Sequence, residues 1–492
     1  MKKSFYYLLV AFLFISQSYC QQFKVSYAAA VYNKPFSGNV IAYLSKENKE
    51  PRTGSVGLDK FPCFAVSVKN IQPGQDIIID DKAVSYPTAL SDIERGEYYI
   101  QIVWDRNLGG RNIAECPGNL YNEAIKVALT KDIKKSFNIV ADKMIEELAP
   151  FKETKHVKEL KVNSGLLSNF HNQPLTMDGA VMLPKEYYTE PDRKFPVVFT
   201  VFGYGGDYHY FSGQETTTPE LVDIPVIAVF LDGNCPLGHS VYANSDNNGP
   251  WGDALTTEFI PALEKKFRCN GARLLNGHSS GGWTVLWLQT QYPKVFDGCW
   301  SSSPDPVDFH SFQKINLYED KNMFYDNDGN QRLVATVAGF IPWATMKTIY
   351  QMEEVVYRGE QIHSFNAVFS KKGIDGKPES ICNTSTGSID AKVLEHWKKY
   401  DIAANLKTNW ETLKPNLQGK IRVTVGNGDN FLLNHAVKLL ETQMNELKAD
   451  FQFAYYPGDH FTIHTSEYRK DGYAFLKQKY VEWLAKANVG NK

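Results

Sequence analysis

Five consecutive residues, Gly277-His278-Ser279-Ser280-Gly281, offer a nucleophile. Their Gly-x-Ser-x-Gly spacing suits a sharp turn in which small residues let the backbone bend beneath an exposed serine hydroxyl. The strand-like run Ala272-Arg273-Leu274-Leu275-Asn276 precedes them, and the helix-compatible run Trp283-Thr284-Val285-Leu286-Trp287-Leu288 follows. That is the strand, turn and helix setting such a serine needs. A Ser/Gly-rich surface turn has the same composition, so the motif must find partners elsewhere in the chain.

A serine hydroxyl attacks at neutral pH only when a base takes its proton and an acid orients the base. On a parallel α/β sheet these groups follow the serine in the order acid, then histidine. Asp429 lies in Gly426-Asn427-Gly428-Asp429-Asn430, after the apolar run Ile421 to Val425. His460 lies in Pro457-Gly458-Asp459-His460-Phe461, after the run Phe451 to Tyr456. Loops at the carboxyl ends of parallel strands are where such groups belong. Asp305, Asp308 and His464 are rivals by position, and Asp429 could equally serve as a turn or cap residue. A tetrahedral oxyanion needs backbone donors. The amides of Ser280 and of Tyr204, in Phe202-Gly203-Tyr204-Gly205-Gly206, are the candidates. His278 should point away from the turn.

The elements that must position these groups divide the chain. Residues 161–492 alternate apolar strands with helices. Phe195 to Val201, Ile224 to Phe230, Val295 to Ser303, Ile421 to Val425 and Phe451 to Tyr456 read as strands. Asp253 to Lys266, His435 to Leu447 and Tyr473 to Ala487 read as helices. Continuous apolar strands suit a sheet buried on both faces, so the expected class is α/β, doubly wound and mostly parallel. Residues 304–419 are long for one connection and are expected to form a cap beside the site. Asp326-Asn327-Asp328-Gly329-Asn330 lacks the later glutamate of a calcium loop and reads as a turn. No metal or other cofactor is called for.

Residues 21–150 are rich in β-branched and aromatic runs, such as Asn39 to Leu44 and Glu97 to Trp104, separated by turn clusters. They suggest an accessory β-sandwich, with residues 151–160 as a linker. The chain has 492 residues, a formal net charge of −2 and 43% hydrophobic residues, an ordinary globular balance with no basic excess for nucleic acid. Residues 1–20 have the form of a secretion signal, with Lys2 and Lys3, the apolar run Phe5 to Ile15, and Ser18 and Cys20 before the cut. That predicts a secreted or periplasmic protein. A lipoprotein acylated at Cys20 is disfavoured by Tyr19 and Gln17, and no later run is long enough to span a membrane. An oxidising compartment permits disulfides among Cys63, Cys116, Cys235, Cys269, Cys299 and Cys382. Cys63 with Cys116 is one candidate pair, and buried free thiols are the alternative.

The hydrolase part, residues 160 to 485, resembles bacterial esterases of the esterase D, feruloyl esterase and enterochelin esterase type. The matching pieces are Phe195-Pro196-Val197-Val198 leading to Gly203-Tyr204-Gly205-Gly206, then Asn248 to Asp253, Glu258-Phe259-Ile260-Pro261, Gly277 to Trp283, and Tyr292-Pro293-Lys294-Val295-Phe296. The resemblance implies an α/β-hydrolase with Ser279 as nucleophile, Asp429 as acid, His460 as base and the Tyr204 and Ser280 amides as oxyanion donors. One departure is Phe202-Gly203, where the family usually carries His-Gly before the oxyanion loop. The expected activity is hydrolysis of a small-molecule or polysaccharide-linked ester, feruloyl or acetyl groups included, or a siderophore. Trp251, Trp283, Trp343 and Trp397 are the expected substrate-facing aromatics. A peptidase using Glu353-Glu354 to hold an amino terminus, and a non-catalytic binding protein, are the competing readings.

Overall fold

The structure, a computed structural model, describes residues 21–130, 135–215 and 220–490. The expected signal at residues 1–20 lies outside the described residues. The chain forms two units. The first comprises Met1–Arg52, Phe61–Trp104 and Leu120–Lys143; the second comprises Thr53–Lys60, Asp105–Asn119 and Met144–Lys492.

The first unit is built of two sheets. In one, Gln22–Tyr27 pairs antiparallel with Ile77–Ile79 and parallel with Ser136–Ala141. The other is antiparallel and centres on Gly96–Asp105, Phe36–Ser45 and Cys63–Ile71. Successive side chains of a strand face opposite ways, so Phe23, Val25 and Tyr27 share one face and are fully buried. Trp104 closes this core edge-on against Tyr27 and Phe36, with ring centroids 4.9 Å apart in both pairs.

The second unit carries an eight-stranded sheet. Its strands are β1 (Val157–Asn163), β2 (Thr176–Met182), β3 (Phe195–Val201), β4 (Ile227–Leu231), β5 (Cys269–His278), β6 (Gly298–Ser302), β7 (Ile421–Gly426) and β8 (Phe451–Tyr456). The spatial order is 1-2-4-3-5-6-7-8. β2 is antiparallel to β1 and β4, and every other pairing is parallel. The polar stretch expected as a linker thus runs into the edge strand β1.

Helix α1 (Ser280–Gln291) follows β5 and is buried along almost its whole length, its apolar Trp283 to Leu288 joined by Thr284 and Thr290, which donate to the Ser280 and Trp287 carbonyls. On the opposite face, Trp300 packs with Tyr468, Phe475 and Leu476 of the C-terminal helix Ser466–Gly490. The sheet is therefore covered on both sides.

Two elements differ from expectation for reasons of proline. Ile224–Pro225 forms a separate small hairpin with Glu220–Leu221 before β4 begins at Ile227, because Pro225 has no amide to give a central strand. The expected helix from Asp253 widens into a π turn at Leu255–Phe259 before Ile260–Lys266, where Pro261 lacks the donor that would close an α turn.

All six cysteines from Cys63 onward are free thiols, so no Cys63–Cys116 bridge forms. Among the described residues no helix is long and apolar enough to cross a membrane.

Between β6 and β7 the chain forms a hairpin, Leu333–Val337 with Ile341–Thr345, and helices α2 (Met346–Val356) and α3 (Gln361–Phe369), followed by Ala391–Trp397 and Ile402–Leu417. Asp326 accepts the amides of Asp328 and Asn330 at 3.0 and 2.8 Å, a plain turn.

Candidate active site

β5 delivers Ser279 into a strained turn, with φ 59° and ψ −126°. An ordinary side chain avoids this region, so the surrounding structure must hold the residue there. The Ser279 amide donates to Ser302 of β6 at 2.9 Å. A Cβ at Gly281 would collide with the Val201 carbonyl, so only glycine lets α1 start this close to β3. Ser279 itself is half-buried, leaving its hydroxyl within reach of solvent.

The loops after β7 and β8 bring Asp429 and His460 together. His460 Nδ1 donates to Asp429 Oδ2 at 2.8 Å, since an ionised carboxylate only accepts. In a neutral imidazole this arrangement leaves Nε2 as the acceptor that a base needs. Asp429 Oδ1 accepts the Phe431 amide at 3.0 Å, and Asn430 Oδ1 accepts the His460 amide at 3.0 Å. Both side chains are nearly inaccessible, 0% for Asp429 and 4% for His460. His278, next to Ser279, lies with its ring centroid 4.6 Å from that of His460. Among the described residues no hydrogen bond joins Ser279 Oγ to His460, and such bonds are often long before substrate binds.

The rivals are engaged otherwise. Asp305 accepts from Ser280 Oγ at 2.6 Å, and burial, reinforced by Asp429, pushes its carboxyl up to about 6. His464 packs against His278 and Tyr468 rather than Asp429. Burial and the neighbouring histidines push His278 down to about 2, and its Nδ1 lies 3.1 Å from Ser302 Oγ, so it stays neutral. Asp308, His310 and Asp401 bring their ligand atoms within 4.8 Å of one another. Their oxygens already serve the fold. Asp308 caps Phe309–Ser311, and Asp401 accepts from the Phe309 amide, the Ala404 amide and Tyr318 Oη.

The loop after β3 supplies the second wall. A Cβ at Gly203 would sit 3.2 Å from Ser279 Cβ, so this loop lies directly on the serine. Among the described residues the Tyr204 amide has no acceptor, and the Ser280 amide is the first of α1, free of any intrahelical partner. Phe202 stacks on Phe230 and Phe211, with centroids 5.3 and 5.9 Å away. This aromatic stack anchors the loop at Phe202.

Three of the four expected substrate-facing tryptophans are core residues. Trp283 is 1% exposed and stacks on Trp287. Trp397 is 1% exposed, packs on Phe369 and donates to Ser370 Oγ. Trp251 is buried against Tyr242 and donates to the Asn248 carbonyl. Their large apolar area is better satisfied inside than at a solvated cleft. Trp343 alone is half-buried, and its ring faces Phe431, which packs edge-on against His460.

Residues that sequence reasoning missed also line this region. Gln361, the first residue of α3, donates to Ser280 Oγ at 3.3 Å. Arg111 reaches Tyr204 Oη with Nη1 at 3.0 Å. Arg111 sits in the turn cluster Asn107 to Asn112, where nothing in the local pattern marks it.

A family model described as "Putative esterase" matches residues 172–471. No curated protein matches the chain. Among solved structures, a ferulic acid esterase aligns at 16% identity and TM-score 0.38, over 67% of this chain and 98% of its own. An S-formylglutathione hydrolase from Agrobacterium tumefaciens aligns at 14% and 0.38, over 67% and 94%. The fluorophosphonate-binding serine hydrolase F of Staphylococcus aureus aligns at 12% and 0.38, over 65% and 97%. The family match spans well over half of the chain and contains Ser279, Asp429 and His460, so the chain belongs to the putative esterase family and is a carboxylic ester hydrolase of the α/β-hydrolase fold.

Proposed function

We propose that the protein is a secreted serine carboxylesterase whose triad is Ser279, His460 and Asp429. The observation that carries this reading is the His460–Asp429 hydrogen bond of 2.8 Å beside a serine held at positive φ. Ser279 Oγ attacks the ester carbonyl while His460 Nε2 takes its proton, and Asp429 stabilises the imidazolium that forms. The amides of Tyr204 and Ser280 receive the oxyanion. His460 then protonates the departing alcohol. Water, deprotonated by the same histidine, releases the acid from Ser279.

The acyl side is bulky or aromatic in this reading, with feruloyl esters of polysaccharide as the leading class and acetyl esters next. Trp343, Phe431 and the exposed Phe461 supply an aromatic border near His460. Residues 304–419 act as the cap and the two sheets of the first unit as an accessory β-sandwich, while Thr53–Lys60 and Asp105–Asn119 belong to the second unit, with export directed by residues 1–20. The peptidase alternative loses its anchor, because both oxygens of Glu353 are taken by the Ile362 and His363 amides at the start of α3.

The test is labelling with a fluorophosphonate probe, followed by turnover of p-nitrophenyl acyl esters, methyl ferulate, acetylated xylan and a dipeptide amide. Ester turnover with no amide cleavage is expected. Labelling that survives Ser279→Ala would remove the nucleophile assignment.

A further inference from the structure

We infer that Arg111 is a specificity residue that binds a carboxylate carried by the ester substrate next to its reacting carbonyl. The inference rests on the esterase reading above and narrows its substrate class to acidic esters.

Arg111 belongs to the segment Asp105–Asn119 of the second unit. Its guanidinium lies over the Tyr204 ring, 4.6 Å from the centroid. Nη1 donates to Tyr204 Oη at 3.0 Å and to the Gly359 carbonyl at 3.3 Å, and Tyr204 Oη also donates to Gly359. One corner of the guanidinium is thereby fixed. The other edge is not. Among the described residues Nε and Nη2 meet no acceptor, and no carboxylate stands in ion-pair contact with Arg111.

That edge faces the oxyanion loop. Nη2 lies 3.2 Å from where a Cβ of Gly205 would be, so glycine at this position leaves the cation room. Two residues earlier, Gly203 packs on Ser279. One short loop therefore touches the nucleophile at one end and the free guanidinium edge at the other.

The seat is built, not incidental. Arg358 grips Asp105 at the root of the segment, with Nη2 to Oδ1 at 3.0 Å and Nε to Oδ2 at 3.2 Å. Arg358 Nη1 also donates to the carbonyls of Gly110 and Pro236 at 2.7 and 2.9 Å. The residue before Arg111 is thus pinned by a buried cation. Glu360 and Glu115 act on Arg111 through space and help keep it charged against burial. A planar fork with two parallel donors free matches a carboxylate, and such pairs are charge-assisted and directional.

The full-length protein is assayed with two matched ester pairs. One places the carboxylate on the acyl side, p-nitrophenyl hemiglutarate against p-nitrophenyl pentanoate. The other places it on the alcohol side, 4-acetoxybenzoate against its methyl ester. The wild type is expected to prefer the acidic member of one pair by about tenfold or more in kcat/KM, the size of one charge-assisted hydrogen-bond pair.

Arg111→Gln should collapse that ratio toward unity, and Arg111→Lys should retain part of it. Tyr204→Phe, which removes one of the two acceptors that fix the guanidinium, should shrink the ratio without abolishing it, and a ratio unchanged in Arg111→Gln overturns the inference. Circular dichroism and thermal melts verify that each variant folds. No acidic preference in the wild type, or an Arg111→Gln variant that slows both members equally, overturns the inference while leaving the esterase reading intact. Absence of turnover of every ester, with no fluorophosphonate labelling, overturns the esterase reading and this inference with it.

Discussion

Arg358 holds Asp105 in a two-pronged ion pair, with side chains 3% and 0% exposed, across 253 residues of chain. Tyr357 Oη donates to the same carboxylate, which also accepts from Asn119. A buried pair contributes little net stability but is costly to break on one side. Asp105→Ala should therefore cost about 3–5 kcal/mol, read by urea denaturation. Asp105→Ala combined with Arg358→Met should recover much of that loss. A double variant as unstable as the single one would mean that the charge is not what matters there.

Ser279→Ala should abolish ester turnover while leaving the melting curve in place, because the side chain is not part of the core. Removal of a triad nucleophile costs on the order of 10⁴-fold or more in kcat. Active-site titration with a fluorophosphonate checks the same atom independently.

Asp429→Asn should lower kcat by about 10³–10⁴-fold, by letting His460 adopt the wrong tautomer. Asp305→Asn should act differently. Burial has raised the Asp305 carboxyl to about 6, above its value in the unfolded chain. Between pH 4 and 6 the unfolded chain releases this proton before the folded one does. The linkage therefore lowers stability as pH rises through that window, by up to a few kcal/mol. Asp305→Asn should flatten the fall, measured as denaturation midpoints across pH 4 to 7. A slope unchanged from the wild type would show that another group carries it.

Trp343→Ala should change the ratio of turnover between a bulky aromatic ester and an acetate, because its ring belongs to the border beside Phe431 and His460. Phe340, 74% exposed at the turn of the hairpin whose Thr336 amide bonds Asn430, should act the same way. Trp397→Ala should instead destabilise the protein by about 3–5 kcal/mol, as a large core truncation does. An unchanged ratio in both border variants would place the substrate elsewhere.

The central strands of the sheet were legible because buried parallel strands are written as apolar runs, whereas the antiparallel β2 and the polar edge strand β1 carry no such run. Phe195–Val201 begins and ends where its run does, and so does Phe451–Tyr456, although it is a partly exposed edge strand that carries Gln452. The elbow and the order of Asp429 and His460 were legible because each sits just past such a run. The region between β6 and β7 was not, since its aromatics read alike whether they face substrate or core. Trp397 is flanked by the charged Glu395, Lys398 and Lys399 yet is 1% exposed, whereas Trp343 follows the apolar Phe340-Ile341-Pro342 yet is only half-buried, so local polarity misleads for both. Arg111 was invisible for a different reason. Its role arises from Tyr204 and Gly359, which are 93 and 248 residues away, and no periodicity spans that distance.

The unit around Ser279 is assembled from three stretches of chain, Thr53–Lys60, Asp105–Asn119 and Met144–Lys492. No single cut can excise it whole. A fragment beginning at Met144 would keep the entire sheet and Ser279, Asp429 and His460, yet it would strand Arg358 without Asp105 and discard Arg111. Such a piece should express as an unstable protein, however intact its motifs look. Recombination that grafted another amino-terminal partner onto this sheet would have to bring its own counterion for Arg358, which ties the ancestry of the loop to that of the enzyme behind it.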